Sequence, residues 1–191
     1  MTVDKCNLAY IIGIALGDGN LSRPNKRATR LRITCDTKYP LIINDIVRSL
    51  GTLFPKNKVS VNPGPKSTYS IISVYSNTLD TYMPWRVGHG SKYTQNAHVP
   101  DWVKCDPTFC LHCIRGLIQT DGSIYYDRGY KMLNFVNNTL DLAIDVKVMF
   151  ETLGYAPRFY TARQSSGKPK YTVRLAKNVD QFIKKTNLHK D

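Results

Sequence analysis

The sequence predicts an α+β fold of two related halves, each running helix, strand, strand, helix, strand, strand, helix. Three observations carry this. A glycine-broken apolar stretch ending in Asp-Gly occurs twice, as GIALGDGN at 13–20 and GLIQTDGS at 116–123. The segments that follow the two stretches repeat the same pattern of periodicities. With 191 residues, 42% of them hydrophobic, the chain can bury a proper core, as one large domain or two small ones.

Each element has its own warrant. LRITC (31–35) and YTVRL (171–175) alternate apolar and polar residues, as half-buried strands do. PLIINDIVRSLG and LAIDVKVMFETLG carry apolar residues at helical spacing, and each ends at a glycine, Gly51 and Gly154, suited to a left-handed cap. Segments 62–67 and 163–170 are turn chemistry between strands. Asp106 is placed to cap the second repeat's first helix, with Pro107 at the first helical position. The expected organisation is an N-terminal half at 1–83, a polar connector at 84–105 and a C-terminal half at 106–191. Within the connector, Arg86 and Lys92 are candidates to touch a partner.

Charge narrows the function. The net charge of +13 costs self-repulsion unless a polyanion relieves it, and nucleic acid is the obvious one. A membrane surface would require an amphipathic helix with a basic face, which the sequence does not offer. The apolar run at 8–17 is too short to span a bilayer and lacks the features of a signal peptide. The chain reads as intracellular, with a bacterial cytoplasm or an organelle equally compatible. Five cysteines at irregular spacing do not form a disulfide framework. Cys105, Cys110, His112 and Cys113 cluster in sequence but match no familiar zinc spacing. Cys110, Cys113 and Leu117 fall on one side of a helix as small core residues.

The repeated stretch has a physical logic. Gly13 and Gly17 share one helix face, matched by Gly116 and Thr120. Each helical glycine costs about 1 kcal/mol relative to alanine, so something must approach the backbone closely. The simplest such object is the other copy of the helix. Leu8, Ile11, Ile12, Ile114, Leu117 and Ile118 then bury against their own halves, and Asp18 and Asp121 meet at the helix ends. Two adjacent carboxylates need a cation between them. Mg2+ suits that place, with backbone carbonyls of Gly17 and Thr120 as further ligands; Mn2+ would substitute, and Ca2+ would bind without turnover. In so basic a protein, a metal held by two acids points to phosphodiester chemistry.

IIGIALGDG (11–19) and IRGLIQTDG (114–122) resemble, in register, the LAGLIDADG motif of homing endonucleases and RNA-splicing maturases, and the strand–strand–helix blocks extend the resemblance over nearly the whole chain. It implies a monomer with two pseudo-two-fold related αββαββα halves, motif helices at the interface, and two saddle-shaped antiparallel sheets on double-stranded DNA. Asp18 and Asp121 match the family's catalytic acids. The motif's earlier acidic letter is replaced by Leu16 and Gln119, at a position usually packed. The family's basic residue after the last strand of a half falls on Lys177, with Asn77 in its place in the first half. Polar residues after the first long strand hold water in the family; Cys35 with Asp36, and Asn137 with Asn138, fall there.

Strand alternation assigns an open face. Leu31, Ile33 and Cys35 point to the core and Arg30, Arg32 and Thr34 away from it. Lys58, Ser60 and Asn62 oppose Val59 and Val61. In the second half Lys170, Thr172 and Arg174, Arg158 and Tyr160, and Asn134 occupy the open positions. Arg, Lys and Asn at alternate positions of strands suit base reading in a major groove. Arg23, Lys26, Arg27, Arg128, Arg163 and Lys168 sit on loops that would grip phosphates. The leading expectation is a metal-dependent, site-specific DNA endonuclease with a long asymmetric target. An intron maturase binding RNA and a non-cleaving DNA-binding regulator are the alternatives.

Overall fold

A computed structural model describes residues 3–65, 67–164 and 167–190. Of the two turn segments, Lys66, Ser165 and Ser166 lie outside the described residues. The first half comprises α1 (Lys5–Asp18), β1 (Gly19–Ser22), a 3-10 turn (Pro24–Lys26), β2 (Thr29–Asp36), α2 (Pro40–Leu53), β3 (Ser60–Pro63), β4 (Tyr69–Ser76) and the short α3 (Leu79–Tyr82). After α4 (Asp101–Lys104), the second half comprises α5 (Pro107–Asp121), β5 (Gly122–Asp127), β6 (Tyr130–Asn137), α6 (Leu140–Thr152), β7 (Arg158–Arg163), β8 (Pro169–Leu175) and α7 (Val179–Thr186). Each half has one four-stranded antiparallel sheet, ordered β1-β2-β4-β3 and β5-β6-β8-β7.

The register carries the repeat down to the residue level. Gly19 pairs with Ile33 and Gly122 with Phe135, so Cys35 and Asn137 are equivalent, as are Arg32 and Asn134. Alternation holds on the long strands: Leu31, Ile33, Leu133, Phe135, Val173 and Leu175 are buried, while Arg32, Thr34 and Lys170 are exposed. It fails on β3, an edge strand, where Val61 sits beyond the core's margin at 46% exposure.

The two halves meet along α1 and α5. A Cβ on Gly13 would lie 2.1 Å from the Cys113 carbonyl oxygen, and one on Gly116 would lie 2.6 Å from that of Tyr10. One on Gly17 would lie 2.0 Å from Thr120 Oγ1. Backbone packs on backbone, and any side chain at Gly13 or Gly116 would separate the helices. Leu16 and Gln119 are both buried there, and the Tyr10 hydroxyl donates to Gln119 Oε1 at 2.8 Å. Arg115 of α5 crosses to Asp45 of α2 and lies over the Tyr10 ring, a cross-half ion pair at the same seam.

Asp106 accepts from the Thr108 N–H and Pro107 opens α5, as the sequence predicts. Gly154 takes φ +87 just past α6. Gly51 does not cap α2: the helix runs through it to Leu53, and its φ is not positive. The connector is not simply polar. Trp85, Ala97, Val99 and Val103 are buried, and Asp145 of α6 holds the segment through the Val99 N–H (2.8 Å) and Lys104 Nζ (2.7 Å). Among the described residues no helix is long and apolar enough to cross a membrane.

Candidate active site

Both motif helices end at an aspartate, and the chain turns at once into a sheet's edge strand. Because α1 and α5 abut, Asp18 and Asp121 come to share one cleft. Burial raises the pKa of Asp121, and the neighbouring Asp18 charge raises it further; a hydrogen bond from Asn137 and the ammonium groups of Lys92 and Lys190 pull the other way. Burial likewise raises that of Asp18, against Lys190 and Lys92, although its carboxylate reaches solvent at the cleft's rim.

The lysines are the site's unforeseen members. Lys92, from the connector, donates to the carbonyls of Ala15 (3.0 Å), Leu16 (2.7 Å) and Gly17 at the end of α1. Lys190, past α7, donates to Ile118 (3.1 Å) and Thr120 (2.6 Å) at the end of α5. An ammonium at a helix C-terminus satisfies orphan carbonyls and the negative end of the dipole. The acid of the other half is the stronger charged neighbour of each lysine, Asp121 for Lys92 and Asp18 for Lys190. Burial lowers both lysine pKa values, and those two acids oppose the shift. Lys92 is further held over the Trp85 ring, 5.5 Å from its centroid.

Lys92, expected as a partner contact from the connector, points its ammonium inward to the end of α1. Sequence reasoning missed Lys190 and did not place Lys92 beside the acids, because no fixed spacing leads to either. The segments that carry them leave α3 and α7 and have different lengths. What the pair shares is visible only in three dimensions.

The donor set fits a divalent cation. Two carboxylates and the carbonyls of Gly17 and Thr120 converge, and those carbonyls already accept from positive groups. Among the described residues no group of three or more His, Cys, Asp or Glu side chains forms an alternative metal site. Cys110 and Cys113 are core residues, while Cys105 is exposed.

The acids have unequal neighbours. Asn137 Nδ2 donates to Asp121 Oδ2 at 2.9 Å. The equivalent Cys35 lies beside Asp18, and burial, then the Asp18 charge, push its thiol up to about 11. A cavity of about 480 Å3 opens next to Asp121, lined by Gly17, Lys92, Asn137 and Asn138. A separate cavity of about 220 Å3 lies between Tyr39, Ile42 and Lys190.

The remaining expected site residues lie elsewhere. Lys177 and Asn77 are exposed, each just beyond the last strand of its half. β8 runs away from the cleft: Tyr171 pairs with Asn137, and Lys177 follows six residues on, about 20 Å along the strand direction. Arg23 is engaged by Asp80 at 2.5 Å, and its guanidinium also reaches Thr29. Lys26, Arg27, Arg128, Arg163 and Lys168 are exposed loop or strand-end cations, and Lys58 precedes β3. Arg30, Ser60, Asn62, Arg158, Tyr160, Thr172 and Arg174 lie with Arg32, Thr34, Asn134 and Lys170 on the open faces, one row per strand.

Fold and site thus define a class: a pseudo-symmetric pair of αββαββα units with an acid pair at the meeting of two helices, flanked by basic sheets. Residues 108–187 match the family model described as a LAGLIDADG-like domain. The matched residues lie in the second half, and the chain as a whole has the two-domain LAGLIDADG fold. Its fold is similar to that of I-DmoI in complex with DNA and Mn (TM-score 0.68, 19% identity, 95% of this chain and 96% of that one). It is also similar to that of a single-substitution variant of I-DmoI with its target DNA in the presence of Mg (TM-score 0.67, 19% identity, 96% of each chain). The N-terminal LAGLIDADG domain of DUF199/WhiA is similar as well (TM-score 0.63, 13% identity, 96% of this chain and 83% of that one). No curated protein matches by sequence.

Proposed function

We propose that this chain is a site-specific endonuclease that hydrolyses both strands of double-stranded DNA, using divalent metal held by Asp18 and Asp121. The observation that supports it most is the convergence of two carboxylates and two lysines between basic sheets. Similar folds are recorded with DNA and with Mn or Mg, which supports Mg2+ or Mn2+ as cofactor.

The chain's own groups divide the work. Asp18 and Asp121, with the carbonyls of Gly17 and Thr120, would hold the metal. Bound there, it would supply positive charge against the phosphate and a more acidic water. Asn137 fixes the orientation of Asp121. Phosphate oxygens are better partners for an ammonium than neutral carbonyls, so Lys92 and Lys190 turn to the scissile groups as DNA enters. There they stabilise charge on the leaving oxygen. Water oxygen bonds to phosphorus, the bond from phosphorus to one sugar oxygen breaks, and that released oxygen takes a proton. The open faces of the sheets bear the target, and their differing residues make it asymmetric.

Asp18→Asn and Asp121→Asn should each abolish cleavage in Mg2+ while leaving DNA binding, read by fluorescence anisotropy, intact. Cleavage by either variant at the wild-type rate would overturn the assignment. A non-cleaving binder is the second reading; Cys35 beside Asp18 favours it, since that acid lacks a carboxamide partner. Failure to cut any member of a pooled target library in Mg2+ or Mn2+ would establish it.

A further inference from the structure

On the open face of the second sheet, all four strands contribute to one side-chain cluster. Arg174 Nε donates to Asn134 Oδ1 at 3.0 Å, and Asn134 Nδ2 donates to the Tyr125 hydroxyl at 3.1 Å. The Arg174 guanidinium also lies over the Tyr160 ring, 5.3 Å from its centroid. Asn134 and Arg174 are directly opposed across β6 and β8, in the middle of the sheet rather than at its flanks.

This arrangement assigns donors and acceptors. A free asparagine reads adenine by donating to N7 and accepting from N6–H. Asn134 is turned to its neighbours instead, its oxygen on Arg174 and its amide on Tyr125. Arg174 gives up only Nε, and both terminal nitrogens keep their N–H donors. Held at one edge and over one ring, it loses little side-chain entropy on contact. A fork of N–H donors fixed in a groove matches guanine O6 and N7. The first half offers a contrast: Arg32 stands where Asn134 does, opposite Ser73, and among the described residues no side-chain hydrogen bond fixes it.

We infer that Arg174 is a specificity-determining residue that selects guanine over adenine in the C-terminal half-site, with Asn134 as its positioning residue. Asn134 lies three residues before Asn137, the partner of Asp121, so the guanine lies about 10 Å, or about three base pairs, from the cut beside Asp121. This rests on the endonuclease reading.

The test is selection of duplexes from a randomised pool by the full-length protein in Ca2+, followed by mapping of the cut in Mg2+. The selected site should carry guanine at that position, and changing it to adenine should weaken binding about 10- to 100-fold. Arg174→Ala should bind the guanine and adenine duplexes equally. Asn134→Ala should reduce the discrimination, and Asn134→Asp, which keeps an acceptor for Arg174, should restore it. If Arg174→Ala weakens both duplexes alike with the preference intact, the arginine is a phosphate contact and the inference falls. A selected, cleaved site without guanine there also overturns it while leaving the endonuclease reading standing. A pool yielding no preferred site defeats both.

Discussion

The two halves agree where they touch each other and differ where they would touch DNA. At the seam, glycine faces backbone from both sides, and each motif helix ends in an aspartate and a lysine-capped carbonyl cluster. Away from it, Asn137 is matched by Cys35, and the fixed Arg174–Asn134 row by Ser73 and Arg32. A shared interface limits divergence, because each side shapes the other. An outer face need only suit its own part of an asymmetric ligand.

The likeness at the seam can be broken most forcefully at Gly13. The Cβ of Gly13→Ala would meet a main-chain oxygen, which cannot rotate away, and Gly116→Ala would likewise meet the Tyr10 carbonyl and Ile14 nitrogen. Each should cost about 3 kcal/mol in denaturant unfolding, the upper range for overpacking. If either variant matched the parent in stability, the helices would have to pack more loosely than described.

The difference at the acids sharpens into a strand bias. Asn137→Ala removes the group that orients Asp121, an outer partner whose loss typically costs about 10- to 100-fold. Cys35→Ala removes no comparable hydrogen bond to Asp18. Nicking assays with each strand labelled should therefore show Asn137→Ala slowing one strand selectively and Cys35→Ala slowing neither appreciably. Cys35→Asn would supply the missing carboxamide and bring the two strand rates closer.

Acidity gives a smaller effect with a definite sign. Both aspartates have pKa values raised above 3.8 by burial, so they take up protons at a higher pH than unfolded carboxylates. Mn2+ affinity should fall with falling pH before ordinary carboxylates protonate. In metal-free protein the folded state then binds more protons than the unfolded one above pH 3.8, so these acids lower stability as pH rises through that window. The gap between wild type and an Asp18→Asn/Asp121→Asn double variant, followed by thermal unfolding, should widen in the variant's favour as pH rises.

The repeat, the open strand faces and the acid pair were legible in the sequence because each is a periodic or local pattern. Asp18 and Asp121 announce themselves through the glycines that let their helices meet. Lys92 and Lys190 do not: they act through tertiary placement, on chain segments of unequal length. Arg23 reads as a free loop cation until Asp80, 57 residues away, is seen beside it. The connector reads as polar because its few apolar residues, such as Val99 and Val103, carry no periodicity, yet they are fully buried.

Gly51 and Gly154 show the same limit on a finer scale and furnish the smallest effect. Both end an LG pair late in an amphipathic helix, and the sequence assigns them one role. Neither has a heavy atom within 4 Å of where a Cβ would stand, so space does not separate them. Backbone conformation does. Gly154 sits at φ +87, where an L-residue is strained, and Gly154→Ala should cost about 1 kcal/mol. Gly51 lies inside α2, where alanine is the better helix former, and Gly51→Ala should gain about 1 kcal/mol. In a chain of this length each amounts to a shift of about 2–4 °C in Tm, in opposite directions. Equal shifts of the same sign would mean that α2 ends at Gly51 after all, and that the halves are more alike at this corner than their backbones now show.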